Sequence, residues 1–254
     1  MARYKLILAY DGTEFFGSQR QSDERTVQSV LEAALRKLDW QGTSILLAGR
    51  TDRGVHASGQ AAAFDLDWNH PPETLLRALN ANLPPDVAAR RISFAASAFH
   101  PRFDAVSRTY RYEIFCDPVR DPLRERYAWR IDPAPAFDRL QACAAELVGR
   151  HDFAAFGTPP RPGGSTVREV TRATWVQNGD RLTFTVTANA FLYHMVRRMV
   201  FVQMAVGQGS LEAGSISRSL DQPEPPPIFQ GLAPPQGLTL IGVGYPPKNT
   251  GENG

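Results

Sequence analysis

One acid and two guanidinium groups crowd into the glycine-bounded stretch Gly49-Arg50-Thr51-Asp52-Arg53-Gly54-Val55-His56. An aspartate set there can serve as a nucleophile, a general base or a metal ligand. The plainer use of an aspartate in such a loop is to form a turn or cap a helix. The flanking Arg50, Arg53 and His56 weigh toward chemistry. A phosphate cradle fits poorly, because the spacing is not that of a Walker motif and a carboxylate repels phosphate.

Arg197 is the second candidate, within the apolar run from Phe191 to Phe201. A helix of that composition is buried on most of its circumference, so its arginine must either snorkel to water or find a partner. An ion pair with Asp52 would keep the acid ionised and fix its direction. Tyr110 is the third. It sits in Arg108-Thr109-Tyr110-Arg111-Tyr112, soon after Phe99-His100-Pro101-Arg102-Phe103. On a strand, Tyr110 and Tyr112 share a face and Arg111 points away. Such aromatics are usually core, but beside arginines the same residue type makes a base-stacking platform.

Other chemistries find less support. His56, His70, His100, His151 and His194 are scattered, so no metal site is expected. No Gly-x-Gly-x-x-Gly stands at a strand-to-helix junction, which leaves a dinucleotide site unsupported. No second acid–base pair suggests a nuclease or glycosidase built on two carboxylates. An RNA-binding module without catalysis and a metal-independent hydrolase of an N-glycosidic bond stay open.

These residues need rigid elements to position them. The chain of 254 residues, 43% hydrophobic and 21% charged, has room for a substantial core and two subdomains. The start of the chain lacks the order of a signal peptide, and no apolar run reaches membrane-spanning length. Cys116 and Cys143 show neither metal nor redox spacing, which points to a reducing cytoplasm. The net charge of +2 is too small to demand a polyanionic partner. Lys5, Lys37 and Lys248 are the only lysines, against 25 arginines. Arginine suits bidentate contacts to phosphate, although composition bias accounts for the ratio equally well.

Tyr4 to Tyr10 alternates as a strand, and Thr26 is placed to cap a helix over Val27 to Leu38. Strands at Ser44 to Ala48 and Ala61 to Asp67 bracket the Asp52 loop. A helix opened by Pro71-Pro72 (Glu73 to Asn80) and a strand over Val87 to Ala95 complete a β-α-β-β-α-β order, that of a ferredoxin-like unit. A similar order follows. Arg108 to Cys116 is a strand, and Phe137 to Val148 a helix closed by Gly149. Val170 to Val176 and Leu182 to Ala188 are strands turned at Asn178-Gly179. Phe191 to Val206 is a long helix and Leu238 to Val243 a last strand. The proline-rich stretch Asp221 to Gln236 and the tail after Pro246 read as loop or disorder.

The sequence resembles the tRNA pseudouridine synthase A family along nearly its whole length. The matching stretches are Tyr10-Asp11-Gly12, Phe16-Gly17, Gln19-Arg20-Gln21, Gly49 to His56, Gly59-Gln60, Asn80 to Pro84 and Phe99 to Phe103. They continue through Ser107 to Tyr112, Asp152-Phe153, Phe156, Arg168, Asn189-Ala190-Phe191, His194 to Arg198 and Gly237-Leu238. The resemblance implies an isomerase that makes pseudouridine at positions 38, 39 and 40 of the tRNA anticodon stem and loop, without a cofactor. It also implies a homodimer and an α+β fold of two ferredoxin-like halves, which share a central, mainly antiparallel sheet with a cleft between them. The halves are expected at residues 1–104 and 105–245, with a disordered tail over 246–254. By the same resemblance Asp52 would be the nucleophile, Tyr110 the ring against the target base and Arg197 the acid's partner. Arg50 would stand near the flipped nucleotide, and Leu238 would line the pocket. Arg108 and Arg168, within matching stretches, are expected among the substrate-binding residues. Two residues depart from the family: Ser18 replaces a usual tryptophan, and Arg53 a usual alanine.

Overall fold

The computed structural model describes residues 1–221 and 228–247. The expectations for 222–227 and for most of the tail lie outside these described residues. The first strand, β1 (Ala2–Tyr10), buries Tyr4, Leu6 and Leu8 completely, the period-two pattern of a strand with one face on a core. The first helix, α1 (Val27–Arg36), begins at the expected cap. Ser29 donates its backbone N–H to Thr26 Oγ1 at 3.2 Å, and Thr26 donates its own N–H to Ser29 Oγ at 3.1 Å. This is a capping box closed by serine.

The strands that bracket the Asp52 loop differ from the sequence reading. β2 (Leu46–Leu47) is a stub, paired with Ala62 and Ala63. β3 (His56–Leu66) starts immediately after the loop rather than at Ala61. Its burial runs almost unbroken through His56-Ala57 and Gly59 to Phe64, so it shows no alternation to read. The unit closes with α2 (Pro72–Asn82) and β4 (Val87–Phe94).

The second half supplies β5 (Ser107–Cys116), α3 (Pro122–Glu125), β6 (Trp129–Ile131), α4 (Phe137–Glu146) and β7 (Gly149–Asp152). β8 (Val167–Asn178), β9 (Arg181–Ala188), α5 (Met195–Gly207), α6 (Ser215–Leu220) and β10 (Leu238–Gly244) follow. The short elements α3, β6, β7 and α6 were not anticipated, because segments of three to six residues hold too little of either period to register. Gly149 opens β7 instead of closing α4. The β8–β9 turn is Gly179-Asp180, one residue later than expected, because Asn178 pairs with Arg181. Gly179 takes φ +59° at the first central position, where a II′ turn requires glycine.

α5 also starts later than its apolar pattern suggests. His194 adopts left-handed φ +65°, and the helix runs only from Met195. Once begun it is apolar and buried, with Met199, Val200 and Val202 fully enclosed. Among the described residues, no helix is long and apolar enough to cross a membrane.

The fold is α+β around a central, largely antiparallel sheet of ten strands, in the order β4-β1-β3-β10-β5-β9-β8-β7. β2 pairs on β3, and β6 pairs on β5. Among the described residues, only β10 with β3 and β6 with β5 run parallel. The last strand thus sits mid-sheet, joining the strand that leaves the Asp52 loop to the strand that bears Tyr110.

Candidate active site

Most of the hydrogen bonds that hold the loop between β2 and β3 come from groups that carry no charge. Ser18 is fully buried; its N–H donates to the Thr51 carbonyl at 3.1 Å, and its Oγ accepts the Thr51 N–H at 2.8 Å. Tyr10 and Thr51 share a hydroxyl–hydroxyl hydrogen bond of 2.9 Å, and burial pushes the Tyr10 phenol up to about 12. Gln60 Nε2 donates to the Gly49 carbonyl at 2.9 Å. A turn then closes from the Val55 N–H to the Asp52 carbonyl at 3.1 Å, with Gly54 at φ +78°. A side chain at Gly54 would be strained there and would meet Pro235. Two backbone bonds to Ser18 fix the residue before Asp52, so the carboxylate's origin is set by packing.

The carboxylate itself meets charge from the other half. Arg197 Nη1 lies 3.3 Å from Asp52 Oδ2, and Arg197 Nε donates to the Ala233 carbonyl at 2.8 Å. The arginine side chain is only 14% exposed, so it does not snorkel. The two residues expected to pair are thus brought together across 145 positions of sequence. His194 Nε2 approaches the same oxygen at 3.5 Å. Burial lowers the His194 pKa below its usual 6.5; Asp52 works against that shift, and Arg197 and Arg198 add to it. Asp52, Arg197 and His194 line one cleft of about 560 Å³ with Thr13, Arg53, Gly54, Glu125, Arg126, Tyr193, Pro235 and Gln236.

The remaining expected residues are placed less uniformly. Tyr110 is 9% exposed and packs edge-on against Phe191, with ring centroids 5.2 Å apart. Burial first, then the neighbouring Tyr10 and the Asp52 carboxylate, hold its phenol far above the ordinary tyrosine range, so it stays protonated. Leu238 is buried opposite Tyr112 on β5, and the Thr239–His56 pairing sets it level with the loop. Arg50 is exposed, and among the described residues it makes no hydrogen bond or ion pair. Its guanidinium is free to meet a phosphate.

Arg108 behaves differently. It donates to the carbonyls of Ala48, Arg102, Ala105 and Asn189, and burial lowers its pKa. It therefore ties the residue before Gly49 to two other loops. Arg168 stands on β8, four strand spacings from β3, roughly 19 Å along the sheet. Its Nη1 donates to the Ser165 and Val167 carbonyls, while its buried Nε has no partner among the described residues. Arg53 rests its guanidinium on the Phe16 ring at 4.0 Å, which accounts physically for an arginine at that position.

The sequence reading passed over Ser18, Tyr10, Gln60 and His194 as site residues. Ser18 was visible only as a departure from a pattern, and His194 only as a scattered histidine and a member of a matching stretch without a role. Among the described residues, no cluster of His, Cys, Asp or Glu could hold a metal ion. The arrangement instead offers one acid with a held oxygen and an open one, beside buried aromatics.

A family model described as tRNA pseudouridine synthase matches residues 6–104 and 143–246. A tRNA pseudouridine synthase A from Methylacidiphilum infernorum is 40% identical over 245 residues, covering 96% of each chain. One from a Geobacter species is 39% identical over 97% of this chain and all of its own length. One from Chloroflexus aurantiacus is 42% identical over 97% of this chain and 90% of its own.

Proposed function

The chain belongs to the tRNA pseudouridine synthase family, isomerases that act on tRNA uridine, and on that premise we propose that it modifies positions 38, 39 and 40 with Asp52 as nucleophile. The supporting observation is the asymmetry of the Asp52 carboxylate. One oxygen is held by Arg197 from the far side of the cleft, and the other accepts no hydrogen bond among the described residues.

The reaction asks for such an arrangement. The bond from the ribose C1′ to uracil N1 breaks, the ring turns, and C1′ bonds to C5. C5 then loses a proton and N1 gains one, so composition and oxidation state are unchanged and no cofactor enters. A target within a stem must first leave the stack, at a cost of a few kcal/mol. In this reading Tyr110 returns part of that as ring stacking, about 1–3 kcal/mol per base. Its phenol, kept neutral beside Asp52, adds no competing anion. Arg197 compensates the charge of Asp52 and aims it, and exposed Arg50 meets the backbone of the extruded nucleotide. Leu238 forms apolar wall. Arg108 supports the loop through the Ala48 carbonyl, and Arg168 contacts RNA from the distal strands. The two halves, 1–104 and 105–245, face one another across the cleft of a cytoplasmic homodimer.

The test is mass spectrometry with carbodiimide mapping of an unmodified tRNA after incubation with wild-type protein and with Asp52→Ala. Pseudouridine on the 3′ side of the anticodon arm with wild type, and a loss of about 10⁴-fold in rate with Asp52→Ala at tRNA affinity within a few fold, is expected. Free uracil would make the protein an N-glycosidic hydrolase, and tight binding without product would make it a binding module.

A further inference from the structure

Both contacts to the Asp52 carboxylate fall on one oxygen, Oδ2: Arg197 Nη1 at 3.3 Å and His194 Nε2 at 3.5 Å. Oδ1 accepts no hydrogen bond among the described residues, and Asp52 lines the cleft. His194 reaches that oxygen from an unusual backbone. Its φ of +65° is left-handed, a region that non-glycine residues enter rarely. The surrounding chain enforces it. Met195 N–H donates to the Leu192 carbonyl at 3.2 Å, and Tyr193 N–H to the Thr158 carbonyl at 2.9 Å. The Tyr193 ring lies on the imidazole, centroids 3.7 Å apart and 30° between planes. Strain of this kind persists where the structure over-determines it, and it gathers at working sites.

We propose that His194 is a positioning residue that, together with Arg197, grips Oδ2 of Asp52 and so makes Oδ1 the oxygen presented to the nucleotide. The proposal rests on the isomerase reading above. Arg197 contributes a permanent cation from α5; His194 contributes a second approach to Oδ2 at 3.5 Å, braced by Tyr193, which limits how far the carboxylate can turn.

The second contact is also titratable. The charged groups that share its cleft are Asp52 and Arg53 from the loop, Glu125 and Arg126 at α3, and Arg197 from α5, with Arg198 also bearing on the imidazole. Burial and the two arginines favour the neutral ring, and Asp52 opposes them. Near neutral pH the contact is therefore uncharged. Protonation sets a second full positive charge on Oδ2 and draws electron density from the reacting oxygen. Turnover is then expected to fall on the acid side of an inflection that belongs to His194.

Two substitutions separate backbone from contact. Asparagine suits the left-handed conformation but is too short to reach Asp52; glutamine reaches but does not titrate. His194→Asn is expected to lower kcat roughly 10- to 100-fold with KM for unmodified tRNA within about two-fold. His194→Gln is expected to recover most of kcat near pH 8 and to lose the acid-side inflection between roughly pH 5 and 8. A His194→Asn enzyme with wild-type kcat and inflection, or a loss confined to KM, overturns the proposal. A second readout needs no turnover: NMR titration of His194 in wild type and in Asp52→Asn. Loss of the carboxylate should move the histidine titration to lower pH, and an unmoved titration overturns the pairing. Absence of pseudouridine from the wild type fails the isomerase reading instead, while the titration still decides whether the pair exists.

Discussion

The two sides of the cleft hold the same residue by opposite means. The first half fixes the Asp52 loop with neutral hydrogen bonds from Ser18, Tyr10 and Gln60, all buried and all to backbone or hydroxyl groups next to the acid. The second half contacts the carboxylate with the fixed cation of Arg197 and the titratable ring of His194. The difference is instructive. A backbone placed by neutral bonds is indifferent to pH and salt, so the loop keeps its shape while the acid changes state. A carboxylate aimed by a fixed cation and a titratable ring can be tuned without moving the loop.

That division can be broken from either side. The largest effect is expected from the charged side, where Arg197→Lys loses both the Asp52 contact and the Nε bond to Ala233. Loss of one such charge-stabilising donor costs about 10²–10³ in kcat. Stopped-time assays with modified-nucleoside detection would show it, with little change in tRNA affinity. If affinity falls as much as kcat, Arg197 binds RNA and the division is wrong.

Ser18→Ala probes the neutral side. It strips the acceptor from a buried Thr51 N–H, which costs about 1–3 kcal/mol in stability. Denaturant melts should register that, and kcat should drop only about tenfold because the charged partners remain. A stable variant with ruined turnover would show that the serine acts on chemistry rather than on loop placement.

A smaller effect concerns pH. Burial lowers the pKa of His56, whose Nδ1 accepts the Gly12 N–H at 2.9 Å and whose Nε2 faces the Gln236 carbonyl at 3.1 Å. The folded protein therefore binds fewer protons than the unfolded chain below the ordinary value of 6.5. The unfolded state takes up protons first, so this stabilisation is complete above that pH and is eroded as pH falls through the window beneath it. The Tm should decline between about pH 7 and pH 5, and His56→Gln should flatten that decline. A steeper decline in the variant would refute the assignment to His56. The smallest change is expected from Arg53→Ala, which removes an exposed cation–π contact on Phe16 worth about 0.5–1 kcal/mol. A large loss of activity there would give the loop a charged support beyond the Arg108 bond to the Ala48 carbonyl.

Much of this was legible from residue types. The Asp52 loop and the apolar run around Arg197 declared themselves because each breaks a local rule: an acid among glycines, a cation among hydrophobes. Thr26 and Tyr4 to Tyr10 were readable from a cap and an alternation. Other features were hidden for physical reasons. β3 is buried on both faces from His56 onward, so it offered no alternation. α5 was drawn too long because Phe191 and Leu192 are as apolar as the helix, and composition does not reveal a left-handed residue at His194. Ser18 stood out only as a departure from the family, because its two bonds to Thr51 depend on a contact 33 residues away that no local pattern encodes.

The central position of β10 has a consequence for how the molecule is made. It is the last strand in chain order, yet it lies between β3 and β5. During synthesis the other described strands emerge with that slot vacant, leaving two backbone edges unpaired until β10 arrives. Such non-local closure is slow and exposes strand edges to wrong partners. The seam between the acid's half and the arginine's half is therefore closed only once β10 has emerged. A polypeptide that stalls or is clipped before Leu238 would hold all three expected catalytic side chains and still have no assembled cleft, so unfinished copies are expected to leave tRNA untouched.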